Sequence, residues 1–190
     1  ARLSKGQPVR LLILLGGVTS IVSMFLDNVT TVVLIAPVTI LICEILGINS
    51  QPFLISEALL SDTAGVSTLV GDPPNVLIAS AAGFSFLDFI THSLPLVVIV
   101  WLVALLMIRV LYRRELSVTP ENAEAVLEFN PSEALKDRRT AMKVLGVIGA
   151  AVLLFLFEEF LHIRPSLIAL GCAAAGMVIV QPDVKALLKK

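Results

Sequence analysis

Long apolar runs separated by short polar stretches organise the chain. Residues 11–26 form the first run, softened by Gly16-Gly17, and residues 29–46 form the second; only Asp27-Asn28 divides them. A two-residue polar break between helical runs predicts a tight helical hairpin over residues 10–46. At 1.5 Å per residue each arm is about 25 Å long, against a hydrocarbon core of about 30 Å. A re-entrant hairpin with Asp27-Asn28 near mid-depth and two full spans with an exposed turn both satisfy this length. Pro37 is expected to kink the second arm, which favours the irregular option. Gly47 to Pro52 then reads as a turn, since Gly follows a helix end and Pro restarts one.

Residues 52–64 read as a helix of roughly 20 Å. Its polar residues, Ser56, Glu57, Ser61, Asp62 and Thr63, thicken towards the C-terminal end. With Pro52 at one interface, Asp62 lies about 15 Å deep. The stretch from Gly65 to Asn75 cannot continue that helix. Pro73-Pro74 removes two backbone donors, and Gly65 and Gly71 weaken helix propensity. Irregular backbone at membrane depth survives only where protein buries it or it lines a watery cavity. A broken helix over residues 52–82 is therefore expected, with residues 76–82 as its second half. Residues 84–89 read as interfacial, as does His92, and residues 94–112 as a full span. Residues 113–142 form the one extended polar region, with helix-start signals at Thr119-Pro120 and at Asn130-Pro131-Ser132-Glu133. Two further spans, residues 144–161 and 165–180, are joined by a short turn at His162-Ile163-Arg164.

Composition places this pattern in a membrane. The 190 residues are 57% hydrophobic and 15% charged, with a net charge of -1 and a mean hydropathy of +0.95. A soluble domain carries about 25% charged residues. The fold class expected is an all-α polytopic membrane protein: a re-entrant hairpin plus a broken helix, followed by three full transmembrane spans. No nucleic-acid signal accompanies the near-neutral charge. Residues 8–26 imitate a signal peptide, but no small-residue cleavage site follows. A chain that starts Ala1-Arg2 and stops at Lys189-Lys190 after an apolar segment reads as a piece of a longer protein. Cys43 and Cys172 read as small core residues rather than a disulfide or metal pair. Tracing the segments in order puts Arg109, Arg113, Arg114, Arg139, Lys143 and the C-terminal lysines on one side, with Arg164 on the other. The positive-inside rule makes the first side cytoplasmic, including residues 113–142.

Three polar groups meet at similar depth if the hairpin is re-entrant: Asp27, Asn28, Thr30 and Thr31 at its tip; Ser61, Asp62 and Thr63 before the break; and Ser67, Thr68, Gly71, Asp72, Pro73, Pro74 and Asn75 within it. Hydroxyls, amide oxygens and freed carbonyls are hard ligands suited to a partly dehydrated Na⁺. The start of the half-helix at Pro74-Asn75 points a positive dipole end at an anion. A midplane carboxylate such as Asp62 suits a proton carrier instead, because its charge is switchable. Blander readings stand beside these. Asp72 is either a substrate-facing group or an N-cap accepting from the Asn75 N–H. Thr30 and Thr31 either coordinate or bond back to their own helix. Glu57, nearer the interface, is expected to be solvated. Glu158-Glu159-Phe160-Leu161-His162 lacks the first His of a zincin helix and reads as an interfacial cluster.

Leu26-Asp27-Asn28-Val29-Thr30-Thr31, followed some forty residues on by Ser67-Thr68-Leu69-Val70-Gly71-Asp72-Pro73-Pro74-Asn75, resembles the ion transporter superfamily. The nearer match is the branch of arsenite pumps, pigmentation P-proteins and citrate-transporter-like permeases. The similarity runs over about residues 10–115, and more loosely to the end. In that family each of two inverted repeats holds a re-entrant hairpin and a broken helix, with sodium and substrate bound where their tips meet. The resemblance implies that residues 1–112 are the first repeat, 113–142 a linker, and 143–190 the first two spans of the second. It favours the re-entrant hairpin and carries the site to Asp27, Asn28, Thr30, Ser67, Thr68, Gly71, Pro73, Pro74 and Asn75. Relatives usually read Ser-Asn-Ile-Gly-Gly-Thr where this chain has Ser61-Asp62-Thr63-Ala64-Gly65-Val66. An acid replaces an amide there, which puts the usual sodium site in doubt and favours proton coupling through Asp62.

The function expected is secondary active transport of a small anion (arsenite-, citrate- or dicarboxylate-like) or of Na⁺/H⁺, in the plasma membrane, coupled to a cation or proton gradient and without an enzymatic cofactor. Expected partners are lipid, the small ion substrate, the missing second repeat and a second copy of the chain. Two alternatives remain: an intramembrane aspartyl protease built around Gly71-Asp72, and a truncated half-transporter that is inert alone.

Overall fold

The structure is a computed structural model that describes residues 7–118, 120, 138–161, 163 and 165–180. The expected short helices near Thr119 and Asn130, the turn residues His162 and Arg164, and the C-terminal lysines lie outside them. The chain divides into two units, one holding Ala1–Phe84 with Asp88–Phe129, the other Ser85–Leu87 with Asn130–Lys190. All regular elements among the described residues are helical. Two helices, Asn28–Leu46 and Phe86–Leu111, are long and apolar enough to cross a membrane, and Pro8–Ser23, Met142–Leu156 and Ser166–Val180 are shorter apolar helices.

In the first unit, α1 (Pro8–Ser23) and α2 (Asn28–Leu46) form the hairpin. The first apolar run does not stay helical to Leu26. Helix α1 ends at Ser23, and the chain turns through residues 24–27 before Asp27 caps α2. The Asp27 carboxylate accepts from the Thr30 N–H at 3.0 Å, so the tip is wider than its two polar residues suggested. Helix α2 runs through Pro37 and ends where Gly47 takes φ 66°, a left-handed conformation that glycine adopts without a Cβ penalty. Helix α3 (Gln51–Gly65) follows, then an irregular stretch, then α4 (Pro73–Ala82) with its two prolines in the first turn. Prolines are tolerated there because those N–H groups have no intrahelical acceptor.

Helix α3 packs along both arms of the hairpin. Gly16 on α1 makes the approach close: a Cβ there would sit 2.5 Å from Leu60 Cδ1. Leu11, Leu12, Leu46, Phe53 and Leu60 form the dry centre, joined by Ala104 and Ile108 of α5 (Phe86–Leu111). Trp101 of α5 donates from its indole N–H to Ser20 Oγ at 2.7 Å. Most of residues 84–89 form the first turn of α5, which starts before the span expected at residue 94 and continues through Pro95.

The second unit holds α6 (Arg138–Leu156), a short α7 (Glu158–Leu161) and α8 (Pro165–Val180). Helices α6 and α8 pair, with Val147 Cγ1 3.5 Å from the position of a Cβ on Gly176. A turn at Phe157 divides the span expected over residues 144–161. Lys143 donates to the Ile179 carbonyl at 3.0 Å, satisfying one of the last acceptors of α8.

Candidate functional site

The hairpin tip and the break between α3 and α4 meet. Ser23, the last residue of α1, donates to the Ser61 carbonyl at 2.8 Å, and Ser61 Oγ donates back to Ser23 Oγ at 3.0 Å. Ser61 Oγ also lies 3.3 Å from the Asn28 carbonyl. One residue on, Asn28 donates its side-chain amide to Asp62 Oδ1 at 2.7 Å. At 2.7 Å the bond is at the short end of the range for an N–H donor to oxygen. Asp62 is exposed on the surface of the unit, so the Asn28–Asp62 pair presents a polar face there.

The break is closed onto the tip by Thr68 and Asn75. Thr68 Oγ1 donates to the Met24 carbonyl of the tip and accepts from the Gly71 N–H at 3.1 Å. Asn75 is 4% exposed, and its amide donates to the carbonyls of Gly65, at 3.0 Å, and Thr68, at 2.7 Å. The backbone freed by the break is thus largely satisfied by side chains of the break itself, as a buried irregular segment requires. Ser67 belongs to this lacing as well, donating to the Ala64 carbonyl at 2.6 Å. Gly71 fits because it has no side chain; a Cβ would lie 2.5 Å from the Gly65 carbonyl oxygen and 2.8 Å from that of Ser23.

The remaining expected residues sort as follows. Asp72 occupies the N-cap position of α4 in extended backbone, φ -145° and ψ 133°, but its carboxylate makes no capping bond. The Asn75 N–H goes instead to the Asp72 backbone carbonyl at 3.0 Å. Pro73 and Pro74 are exposed at the start of α4. Thr30 donates its hydroxyl to Asp27 Oδ2, which completes the cap of α2. Thr31 is fully buried, and its hydroxyl has no partner. It neither bonds back to its helix nor reaches another side chain.

Two features escaped the sequence. Ser20 and Ser23 tie α1 to α3 and α5; their one available signal was the run of small residues Gly16, Ser20 and Ser23 at helical spacing. Glu57 is not solvated. It is 1% exposed between α2 and α3, where Thr39 donates to its Oε1. Depth along α3 alone had placed it near the interface, but α2 covers it. No group of three or more His, Cys, Asp or Glu able to hold a metal ion occurs among the described residues. The Glu158-Glu159-His162 cluster lies outside the residues whose side chains are described.

Comparison with known proteins adds a family. The sequence profile of the citrate transporter family matches residues 1–189. A 46 kDa membrane protein of Mycobacterium leprae is 46% identical over 180 residues, 95% of this chain and 42% of that protein. An uncharacterized transporter of Mycobacterium tuberculosis is 44% identical over 180 residues, 95% of this chain and 41% of its own length. The human P protein is 37% identical over 130 residues, 66% of this chain and 16% of its own. The chain therefore spans about two fifths of the length of these mycobacterial relatives.

Proposed function

We propose, because this chain belongs to the citrate transporter family, that it supplies the first repeat and the start of the second repeat of a secondary transporter. Membrane transport as a class follows from the family and from relatives named as transporters. The finer reading is a small anion, with citrate or another carboxylate foremost and arsenite as a further candidate, moved at the expense of a Na⁺ or proton gradient.

The single observation that carries this reading is the Asn28–Asp62 bond, 2.7 Å long, at the junction of hairpin tip and broken helix. It joins the hairpin tip to an ionisable group on the element with a break in it, which is how ion sites are built in transporters with discontinuous helices. The same junction supports a re-entrant hairpin. Helices α3 and α4 are about 22 and 15 Å long and together make one crossing interrupted near its middle. The hairpin tip sits at that interruption, so it lies at the depth of the break. Residues 113–142 then fall on the cytoplasmic side of the plasma membrane by the positive-inside rule, with Arg113 and Arg114 exposed at the end of α5. In this scheme residues 143–190 begin the second repeat, which completes the pocket. A protease reading finds no support in relatives named as transporters.

Counterflow uptake by the full-length protein in proteoliposomes tests this, with citrate, arsenite and Na⁺ assayed separately. Uptake of one of them against preloaded vesicles is the expected result, and none of the three being exchanged contradicts it. Asp62→Asn then addresses coupling: transport that keeps its full pH dependence in that variant excludes Asp62 as the proton carrier.

A further inference from the structure

Glu57 is the buried acid that the site described above does not use. It lies just over one helical turn before Asp62 on α3, yet the two carboxyls have different surroundings. Asp62 is exposed and bonded to Asn28, whereas Glu57 is 1% exposed. Thr39 of α2 donates to Glu57 Oε1, and Oε2 is buried with no hydrogen-bond partner. Thr39, Ile42 and Leu46 of α2 and Phe53 and Leu60 of α3 are buried residues of the two helices that hold it.

An ionised carboxylate with one orphan oxygen in such a place is strongly disfavoured, because among the described residues neither a cation nor a full set of donors compensates it. The charged groups on the packed elements do not supply one. Arg10 on α1, Glu44 on α2 and Arg109 on α5 are all exposed. On α3 itself the other titratable group is Asp62. Tyr112, just after α5, is partly buried against the same core, and Cys43 of α2 is buried and free. Neither carries a positive charge. A sodium ion needs several oxygens, and the hydrogen-bond partner described for this carboxyl is the hydroxyl of Thr39. A proton needs one.

We propose that Glu57 is a proton-binding site, with Thr39 as its hydrogen-bonding partner, separate from Asp62 and carried inside the hairpin–α3 unit. Resting on the transport reading, it makes Glu57 a second point at which a proton gradient acts on the same hairpin–α3 unit. The proton binds to the orphan Oε2, and Thr39 keeps Oε1 as an acceptor. Loss of that proton leaves a bare charge between α2 and α3, which favours loosening of the hairpin from α3. Proton occupancy and the packing of the unit are linked in that way.

Infrared spectroscopy of the full-length protein in lipid tests the proton directly. The expected result is a protonated-carboxyl carbonyl band at neutral pH that is lost in Glu57→Gln. The band moves to higher frequency in Thr39→Val, which keeps the acid and removes the hydroxyl that bonds it. That second variant gives a band shift even if Glu57→Gln folds poorly. A neutral-pH spectrum with no band lost in Glu57→Gln and none shifted in Thr39→Val overturns the assignment. In proteoliposomes, Glu57→Gln is expected to retain citrate exchange without a gradient and to lose the extra accumulation driven by an inward proton gradient. Full gradient-driven accumulation in Glu57→Gln overturns the coupling role. Wild-type protein that exchanges no citrate, arsenite or Na⁺ sinks the transport reading instead, and the infrared band still decides whether Glu57 holds a proton.

Discussion

Gly71 has no room for a side chain, and that fact separates two kinds of glycine in this chain. Gly71→Ala pushes a methyl group against two backbone carbonyls that cannot rotate away. It should lower stability by about 1–3 kcal/mol, the usual cost of overpacking. Gly17→Ala meets nothing within 4 Å and should be neutral or slightly stabilising in its helix. Thermal unfolding of the two variants in detergent checks the contrast; equal midpoints would show that the break is not packed on the tip. The sequence made Gly71 visible because it stands beside Pro73-Pro74, where any helix must fail. Ser23 was invisible for the opposite reason. A serine in an apolar run reads as bonding back to its own helix, and its partner Ser61 is 38 positions away. Asn75 was visible as a motif residue, but its lacing of the Gly65 and Thr68 carbonyls was not.

At the scale of elements, hydrophobic runs and turn residues located the helices, and packing set their ends. Gly47 and the Pro73-Pro74 pair end or begin helices for local reasons, so sequence alone places them. The end of α1 at Ser23 has no local stop signal, since Met24, Phe25 and Leu26 are all apolar. It is set by contacts of the tip with α3 and the break. Likewise α5 begins at Phe86, eight residues before the start expected at residue 94. Glu57 shows the same limit: depth along one helix says nothing about a second helix lying over it. The hairpin itself yields a direct test. In full-length protein with Cys43 and Cys172 replaced by alanine, a membrane-impermeant thiol reagent added outside should label Phe84→Cys, beyond the end of α4. It should not label Leu26→Cys at the hairpin tip. Equal labelling of both from outside would show that α1 and α2 span the membrane.

For the whole molecule, the family and the structure answer different questions. The family places the chain among transporters, and the structure ties Asn28 of the first motif to Asp62 of α3 and Thr68 of the second to Met24 beside the first. The pairing of Asn28 with Asp62 could not be read from the sequence, because their spacing of 34 positions carries no register information. What could be read was that each lay at an interruption of an apolar run. The chain covers about two fifths of its mycobacterial relatives, so transport is a property to be measured on the full-length protein. The most direct measurement is substrate counterflow by Asn28→Ala in proteoliposomes, beside wild type and with membrane insertion verified for both. Asn28→Ala deletes the amide that binds Asp62; Asn28 is half-buried at the tip and its partner is exposed. The expected result is normal insertion with counterflow abolished; normal insertion with wild-type counterflow would contradict the assignment of the transport site to the hairpin tip and the break.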